Sequence, residues 1–554
     1  MTTLQVNNVS ELARLTDSYL QHYFAFYPTI ASSLGLHAYD GQVMDARPAA
    51  VQARIAVLRE YQQHVATIDR ASLSRLEAFD YDLLQWQINL ELWQWTDERE
   101  YTYNPLIYAY DAMVDGYIKR DYAPLPWRTC KLIEHLHAIP GLLATTRQNL
   151  QRSIPRMLVE EAISVYEGLY EFLYENLEEP LQPLHDDALL AEVWAARDVA
   201  GQAIAQFRTF LEQELLPAAH NRFAIGAERF CKMLRYNELI DIPLDRLLAI
   251  GEADLHRNQQ AIIALAHQID PHKTIQEQMH ELGRNHPTAD ELIDETKALL
   301  QELRRFLQER DLITLPPDTN CRVEPTPPFA RWAFAMMETA GPFEDESAES
   351  FYYVTLPEPG WSAEQIEGWM TKFDYATLIS VSIHETYPGH FVHFATARNA
   401  PSQMAKVFAT YTHYESWAHY VEEMMLEQGY GAGNLHLRMA QLAEALVRNC
   451  RYVCAIKMHT MGMTLPEVTR FFMEHAYMDE MTAAKEARRG TYDPGYLNYT
   501  LGKLLLLKTL EQYREAYGAD FSLKRFHDEY IGYGSPPIPI LRKLILPVDN
   551  GVLL

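Results

Sequence analysis

Apolar residues recur at helical spacing along most of the chain. Between residues 10 and 34 they follow one side of a helix, formed by Leu12, Leu15, Tyr19, Leu20, Tyr23 and Phe24. The same periodicity returns in the stretches 50–98, 128–152, 157–178, 185–215, 243–268 and 287–310. Alternation of apolar and polar residues, which is typical of strands, is scarce. The pattern therefore predicts a mainly α-helical protein.

Two segments depart from this helical pattern. Residues 350–356 are rich in β-forming side chains and are followed by Pro357 and Pro359, which predicts a small β-sheet or hairpin there. Residues 315–328 contain five prolines, and proline cannot continue a helix. We interpret this proline-rich segment as the junction between an N-terminal helical lobe, residues 1–314, and a C-terminal lobe, residues 315–554, that carries the chemistry.

The composition is that of a folded globular protein with an acidic surface. A chain of 554 residues is too long for one compact core, and 48% of its residues are hydrophobic. The formal charge of −27 is spread over the whole length. Such a charge repels phosphate backbones and anionic membrane surfaces, and it favours solubility. We therefore expect neither a nucleic-acid partner nor a membrane.

Signals for export or membrane insertion are not found in the sequence. Residues 1–8 have no basic segment followed by an apolar one, and no run of about 18 apolar residues occurs. The five cysteines are few and widely spaced, which favours reduced thiols and a cytoplasmic location. Cys450 and Cys454 are one helical turn apart, and we interpret them as packing residues and not as metal ligands.

The candidate chemistry lies in His384-Glu385-Thr-Tyr-Pro388-Gly389-His390. Many zinc hydrolases present two imidazoles to the metal in this way, and the carboxylate next to the first one acts on a water at the metal. In the usual motif the two histidines are four residues apart, on one face of a helix. Here they are six apart, which a regular helix would turn by about 120°. Pro388 and Gly389 favour a break that brings His390 back beside His384.

A third metal ligand is expected from a later helix, residues 411–424. Its apolar stripe consists of Tyr414, Trp417, Ala418, Val421 and Met425. Glu415, His419 and Glu422 form a neighbouring stripe. Two histidines and one carboxylate, with water completing the coordination, make a common catalytic zinc site. His393 and His419 remain alternative ligands, since the six-residue spacing leaves the second position open.

The chain resembles a bacterial family catalogued as domain of unknown function 885. That family carries H-E-x-x-P-G-H followed by a helix of the form E-G-W-A-x-Y-x-E, which corresponds here to 384–390 and 415–422. Ser416 stands where the family has glycine. The resemblance extends along the chain through Phe26–His37, Pro494–Lys503, Phe526–Asp528 and Gly534–Pro536.

The resemblance implies a gluzincin-type metallopeptidase of the peptidase MA clan, with a two-lobed helical zincin-like architecture and a central cleft. It implies one zinc per chain, held by His384, His390 and Glu415. Glu385 would then be the general base and pass the proton to the leaving amine. Glu422 is either a carboxylate that orients a ligand or a solvated side chain of the helix.

Related helical zinc peptidases place tyrosine from a C-terminal segment over the cleft. By that similarity Tyr496 or Tyr499 donates a hydrogen bond to the oxyanion, and Arg489 pairs with a substrate carboxylate. The alternative is that both tyrosines belong to the core. The strand at 350–356 is a further candidate, for binding an extended peptide by edge pairing.

The sequence therefore predicts a zinc metallopeptidase acting on short peptides, as an aminopeptidase, carboxypeptidase or oligopeptidase. One alternative is a zinc hydrolase of non-peptide amides or esters, which would share the same centre. Another is a catalytically inactive metal-binding or binding protein. The intact set of ligands and base argues against inactivity, and the sequence does not define the oligomeric state.

Overall fold

The computed structural model describes residues 10–316, 321–327, 331 and 334–554. It is mainly α-helical and contains a small three-stranded β-sheet, which confirms the predicted class at that level. The chain forms two compact units. The first comprises Met1–Asn221, Gly341–Glu346 and Ser402–Phe408, and the second comprises Arg222–Ala340, Ser347–Pro401 and Ala409–Leu554.

The first unit consists of helices connected in part by short 3₁₀ and π-helical turns. These helices are α1 (Glu11–Phe26), α2 (Pro28–Ser33), α3 (Pro48–Val65), α4 (Arg75–Trp93), α5 (Gly116–Lys119), α6 (Leu125–Asn149), α7 (Arg156–Glu171), α8 (Glu178–Leu181), α9 (Asp187–Phe210), α10 (Leu216–Ala218) and α18 (Gln403–Val407).

The second unit holds the sheet and the remaining helices. Its helices are α11 (Ala227–Glu238), α12 (Leu244–Ile269), α13 (Ile275–Gly283), α14 (Leu292–Arg310), α15 (Ala363–Met370), α16 (Tyr375–Glu385), α17 (His390–Ala397), α19 (Tyr411–Glu427), α20 (Leu435–Thr460), α21 (Leu465–His475), α22 (Glu480–Tyr492), α23 (Asn498–Tyr517), α24 (Leu523–Gly532) and α25 (Ile538–Ile545).

The periodic stretches of the sequence coincide with helices. The stretch 50–98 contains most of α3 and all of α4, and the stretches 243–268 and 287–310 contain most of α12 and all of α14. The stretch 10–34 is divided into α1 and α2 at Tyr27. Pro28 causes this division because it has no N–H to continue the hydrogen bonds of α1.

The sheet has the strand order β1-β3-β2, with β1 at Cys321–Pro325, β2 at Ala335–Glu338 and β3 at Ser350–Val354. β3 pairs in parallel with β1 and antiparallel with β2. All five residues of β3 are buried, as expected for a central strand. Because both edges of β3 are occupied, the hypothesis that this strand pairs with a peptide is wrong. The edge strands are β1 and β2.

The predicted boundary between 314 and 315 differs from the division into units, which falls between Asn221 and Arg222. Residues 222–314 belong to the second unit because α14 buries Leu300, Leu303 and Leu307 in the core that also surrounds α16 and α19. An amphipathic pattern shows that a helix has a buried face, but it does not identify the partner. Part of the proline-rich segment, and the chain start at 1–8, lie outside the described residues.

The helices α16, α17 and α19 pack against one another within the second unit. Nearly every side chain of α19 between Thr412 and Met425 is buried. Its close approach to α23 depends on Gly502, where a Cβ would collide with the carbonyl of Thr412 and with Ser416. Within the described ranges, none of the helices is long and apolar enough to cross a membrane.

Candidate metal centre

The link between α16 and α17 determines where the two motif histidines lie. Asp374 caps α16 by accepting hydrogen bonds from the N–H groups of Ala376 and Thr377, both at 3.0 Å. The helix ends at Glu385, and α17 begins at His390. The predicted break around Pro388 and Gly389 is therefore confirmed.

The chain turns sharply within this link. The Tyr387–Pro388 peptide bond is cis. A Cβ on Gly389 would overlap the carbonyl group of His384, so only glycine fits this close approach. Trp417 Nε1 of α19 donates a hydrogen bond to the carbonyl of Pro388 at 2.8 Å. The link is thus fastened to the helix that carries the third predicted ligand.

His384, His390 and Glu415 form a buried cluster. One ligand atom from each lies within 4.8 Å of the others. Glu415 Oε2 is 3.5 Å from His384 Nε2 and 3.7 Å from His390 Nε2. The two imidazole rings are nearly perpendicular, with centroids 4.8 Å apart. Among the described residues, this is the group of three histidine, cysteine or acidic side chains that lie close enough together to bind one metal ion.

The chemistry of these donors fits a divalent cation. In the described part of the chain, Glu415 Oε2 is buried and has no hydrogen-bond partner, which is costly for a carboxylate oxygen. Burial raises the pKa of Glu415, but its close contact with His384 and the electrostatic interactions with the two histidines and Arg448 outweigh this effect and lower the pKa. Burial lowers the pKa of His390 to about 3, so its ring is neutral and offers a lone pair. Two imidazoles and one carboxylate are a zinc-type set.

Glu422 orients the first histidine. His384 Nδ1 donates a hydrogen bond to Glu422 Oε1 at 2.7 Å, which leaves Nε2 facing the cluster. Arg448 of α20 forms an ion pair with the same oxygen at 3.0 Å, and His419 Nδ1 lies 3.2 Å from Oε2. Burial raises the pKa of Glu422, but Arg448 and the two histidines hold it well below the usual range. The alternative of a solvated Glu422 is therefore wrong.

Neither His393 nor His419 belongs to the cluster. His419 is buried against Glu422, as described above. His393 Nε2 donates to the carbonyl of Gly534 at 3.1 Å. Two neighbouring carbonyls accept similar bonds: that of Ser535 from the N–H of Thr410 at 2.8 Å, and that of Pro536 from His413 Nδ1 at 2.8 Å. This glycine-serine-proline segment therefore ties α17 to the start of α19.

Glu385 lies next to the cluster without joining it. Its carboxylate accepts a hydrogen bond from the backbone N–H of Met337 on the edge strand β2. Burial is the main reason why the pKa of Glu385 is raised to about 7, and the negative charge of Glu415 adds to the effect. A carboxylate with a pKa near neutrality can both accept and return a proton at physiological pH.

The two predicted tyrosines occupy different environments. Tyr496 is fully buried in a core of α12 and α20, and its hydroxyl contacts Met458 Sδ at 3.6 Å. The hypothesis that it donates to an oxyanion is therefore not supported, and its role is packing. Tyr499 is half-buried. Burial is the main reason why its pKa is raised, and the negative charge of Glu415 is the second. Of the two, Tyr499 is beside the cluster.

Arg489 has a partner within its own segment. Its guanidinium forms an ion pair with Asp493 at 3.0 Å and donates to the hydroxyls of Tyr411 at 3.0 Å and Tyr499 at 3.5 Å. It therefore positions two phenols near the centre. The hypothesis that Arg489 pairs with a substrate carboxylate receives no support from these contacts.

Arg448 and Tyr411 were not identified from the sequence. Arg448 is 64 positions from His384, whose Nδ1 it approaches to 3.4 Å, and no local motif marks it. Tyr411 lies one turn before Glu415 on α19, so the position of the predicted ligand could have indicated it.

Comparison with known proteins gives matches to solved structures and to one family. A structure from Shewanella oneidensis, described as "a putative lipoprotein of unknown function", is 23% identical, with a TM-score of 0.79, and the match covers 97% of this chain and 99% of that one. A structure from Colwellia psychrerythraea, described as "the putative lipoprotein", is 18% identical, with a TM-score of 0.81 and the same coverage. At these identities the likeness concerns the fold alone.

No curated protein matches the chain significantly. The family model described as "Bacterial protein of unknown function (DUF885)" matches residues 28–545, which is most of the sequence. The chain therefore belongs to this bacterial family of unknown function.

Proposed function

We propose that the protein is a zinc-dependent metallopeptidase of the gluzincin type that hydrolyses short peptides. The observation that carries this proposal is the buried cluster of His384, His390 and Glu415 with Glu385 directly beside it. A structural zinc site is closed by four protein ligands, whereas a catalytic site has three and leaves one position open. Three protein ligands and an adjacent free carboxylate therefore favour catalysis.

His384, His390 and Glu415 would hold one zinc ion per chain. A zinc ion bound there supplies Lewis-acid catalysis and makes water acidic enough to ionise near neutral pH. Glu422 and Arg448 keep His384 in the tautomer whose Nε2 faces the cluster. Burial keeps His390 neutral, which a metal-binding imidazole requires.

Glu385 is the proposed general base. It accepts a proton from the attacking water and later transfers it to the nitrogen of the leaving amine. The bond that breaks is the amide C–N bond, and the products are a carboxylate and an amine. Tyr499 is the proposed donor to the oxyanion that develops on the carbonyl oxygen. Arg489 donates a hydrogen bond to the hydroxyl of Tyr499 at 3.5 Å and helps to position it.

The edge strand β2 favours a peptide over a small amide or ester. Met337 of β2 donates its backbone N–H to Glu385, so the edge of the sheet lies beside the proposed base. An extended peptide that pairs with such an edge would place a main-chain amide next to Glu385.

Metal analysis followed by digestion of a peptide library tests the proposal. The protein should carry about one zinc per chain and should cleave peptides in a reaction that chelation abolishes and zinc restores. Glu385→Gln should retain zinc and fold while its rate falls by roughly 10²–10⁴-fold, because glutamine cannot accept the proton. Tyr499→Phe should retain zinc and lose less rate, since it removes one hydrogen bond.

Three results would contradict the proposal. Full zinc occupancy after both His384→Ala and Glu415→Ala would place the metal elsewhere. Peptide cleavage by Glu385→Gln at the wild-type rate would exclude the proposed base. If the zinc-loaded protein cleaves no peptide but hydrolyses other amides or esters, the same centre has a different substrate.

A further inference from the structure

Four aromatic side chains form a continuous surface that begins at the metal cluster. We call Phe394, Tyr414, Tyr411 and Tyr499 the aromatic wall. Phe394 stacks near His390 with centroids 5.9 Å apart and an interplanar angle of 19°. The wall then continues through ring contacts of 6.0 Å from Phe394 to Tyr414, 5.7 Å from Tyr414 to Tyr411, and 5.4 Å from Tyr411 to Tyr499.

Each residue of the wall is only half-buried. Other aromatic residues of the same helices are fully buried, such as Phe391 on α17 and Trp417 on α19. The wall is thus the accessible aromatic side of the helices that carry His390 and Glu415. Accessible aromatic area next to convergent polar groups is typical of a ligand-binding surface.

The polar groups of the wall are concentrated at one end. There Arg489, which is paired with Asp493, donates to the hydroxyls of Tyr411 and Tyr499. The other end, formed by Phe394 and Tyr414, offers mainly ring surface. An apolar occupant would cover that end without removing a charged group from water.

The aromatic wall lies next to the metal ligands, where the scissile bond of a peptide would bind. Phe394 is one helical turn after His390, and Tyr414 directly precedes Glu415. Consecutive Cα atoms of a peptide are about 3.8 Å apart. The rings of Phe394 and Tyr414 lie 5.9 and 6.1 Å from that of His390, so a residue that flanks the scissile bond can reach them while the bond lies at the cluster.

We propose that the aromatic wall binds an aromatic or large aliphatic side chain of the peptide residue that flanks the scissile bond. This inference rests on the proposed function, and it makes Phe394 and Tyr414 determinants of specificity. They are not catalytic residues. A ring-to-ring contact with the substrate would favour phenylalanine over alanine at the flanking position.

The test compares two synthetic peptides that differ only in phenylalanine or alanine at the position flanking the cut, which a library digest first locates. The measurement is the ratio of kcat/KM for the two peptides. Partial loss of zinc would lower both values equally and leave the ratio unchanged. Wild type should prefer the phenylalanine peptide, and Phe394→Leu and Tyr414→Leu should each reduce the ratio by about 2- to 10-fold, which is the range for an aromatic pair.

Phe471→Leu is the matched control. Phe471 is also half-buried and belongs to the second unit, but it contacts His475 on α21. This change should leave the ratio at its wild-type value. An unchanged ratio in both Phe394→Leu and Tyr414→Leu, or a wild-type enzyme without preference at the flanking position, would overturn the inference.

A binding measurement separates this inference from the proposed function. Zinc-loaded Glu385→Gln would be titrated by calorimetry with two short peptides that differ only in a central phenylalanine or alanine, a comparison that needs no located cut. If the wild type cleaves no peptide, but Glu385→Gln binds the phenylalanine peptide more tightly and loses this preference with Tyr414→Leu, the wall is supported and the peptidase proposal fails. Equal binding of both peptides would overturn the wall even if cleavage occurs.

Discussion

Single side chains around the cluster act by holding the ligands in one orientation. Glu422 does so through charge, because it accepts a hydrogen bond from His384 and is ionised by its contacts with Arg448 and His419. An anionic acceptor on the far nitrogen increases the electron density of the imidazole and fixes its tautomer. The affinity for metal should therefore depend on a residue that does not touch it.

Glu422→Gln tests this dependence. The amide has the size of the carboxylate but no charge, and it leaves Arg448 without its buried partner. We expect the affinity for zinc to fall by about 10- to 100-fold, as is typical when the partner of a ligand is lost. Competition with a chromophoric chelator measures this affinity directly.

The neighbouring Glu423 provides the matched control. It is also largely buried on α19, but it pairs with Lys503 at 2.7 Å and Arg438 at 3.1 Å and does not contact His384. Glu423→Gln should lower the stability of the fold while zinc affinity stays near the wild-type value. Equal loss of affinity in both variants would mean that Glu422 acts only through general stability.

Helices α16 and α17 depend on the short link between them. In this link Gly389 lies against the carbonyl of His384, and an added Cβ would force the two apart. Gly389→Ala should therefore displace His390 from Glu415 and abolish stoichiometric zinc binding, as measured by metal analysis. Gly368→Ala on α15 is the control, because a Cβ there meets nothing within 4 Å. It should retain zinc, and full zinc content in Gly389→Ala would contradict the proposed role of the link.

The start of α19 is capped by a residue from a different helix. Glu238, the last residue of α11, is 3% exposed, and its Oε1 lies 3.5 Å from the N–H of Thr412 and 3.3 Å from Asn498 Nδ2. A carboxylate at a helix N-terminus interacts favourably with the free N–H groups and the dipole. Burial outweighs this effect and raises the pKa of Glu238 to about 7.

This raised pKa predicts a dependence of stability on pH. A group whose pKa is higher in the folded state contributes stability that is fully present below its unfolded pKa, near 4.3. That contribution is lost as the pH rises through about 7, because the folded state must then hold a buried charge. Glu238→Gln carries no such charge. At pH 8 it should be more stable than wild type by on the order of 1–3 kcal/mol.

Urea unfolding at pH 5 and pH 8 measures this effect. The difference in the free energy of unfolding between Glu238→Gln and wild type should be larger at pH 8 than at pH 5. The same difference at both pH values would show that Glu238 does not change its protonation between them.

Across the whole molecule, the features that the sequence predicts correctly are those determined by residues close together in the chain. Pro388 and Gly389 indicated the break in the helix, and the His-Glu motif indicated two members of the cluster, because each signal lies within a few residues. Glu415 lies 25 residues after His390, and it was expected from the polar stripe of a later helix and from the family resemblance. Arg448 and Glu238 could not be found, since their contacts join residues far apart in the sequence. The boundary at Asn221 was missed for the same reason: hydrophobic periodicity predicts a helix but not the core that it joins.

Removal of metal should affect the two units differently. His384, His390 and Glu415 all belong to the second unit, so the proposed zinc would stabilise that unit by mass action. With free zinc at about 100 times its dissociation constant, the gain in the free energy of unfolding is roughly 2.7 kcal/mol.

Amides of α16, α17 and α19 that exchange by unfolding of this unit should exchange roughly 100-fold faster after chelation. Hydrogen exchange read by mass spectrometry should show little change in α3 and α4 of the first unit. If protection falls equally in both units, they unfold together and the stabilisation is not confined to the metal-binding unit. If it falls in neither, zinc does not bind at this cluster.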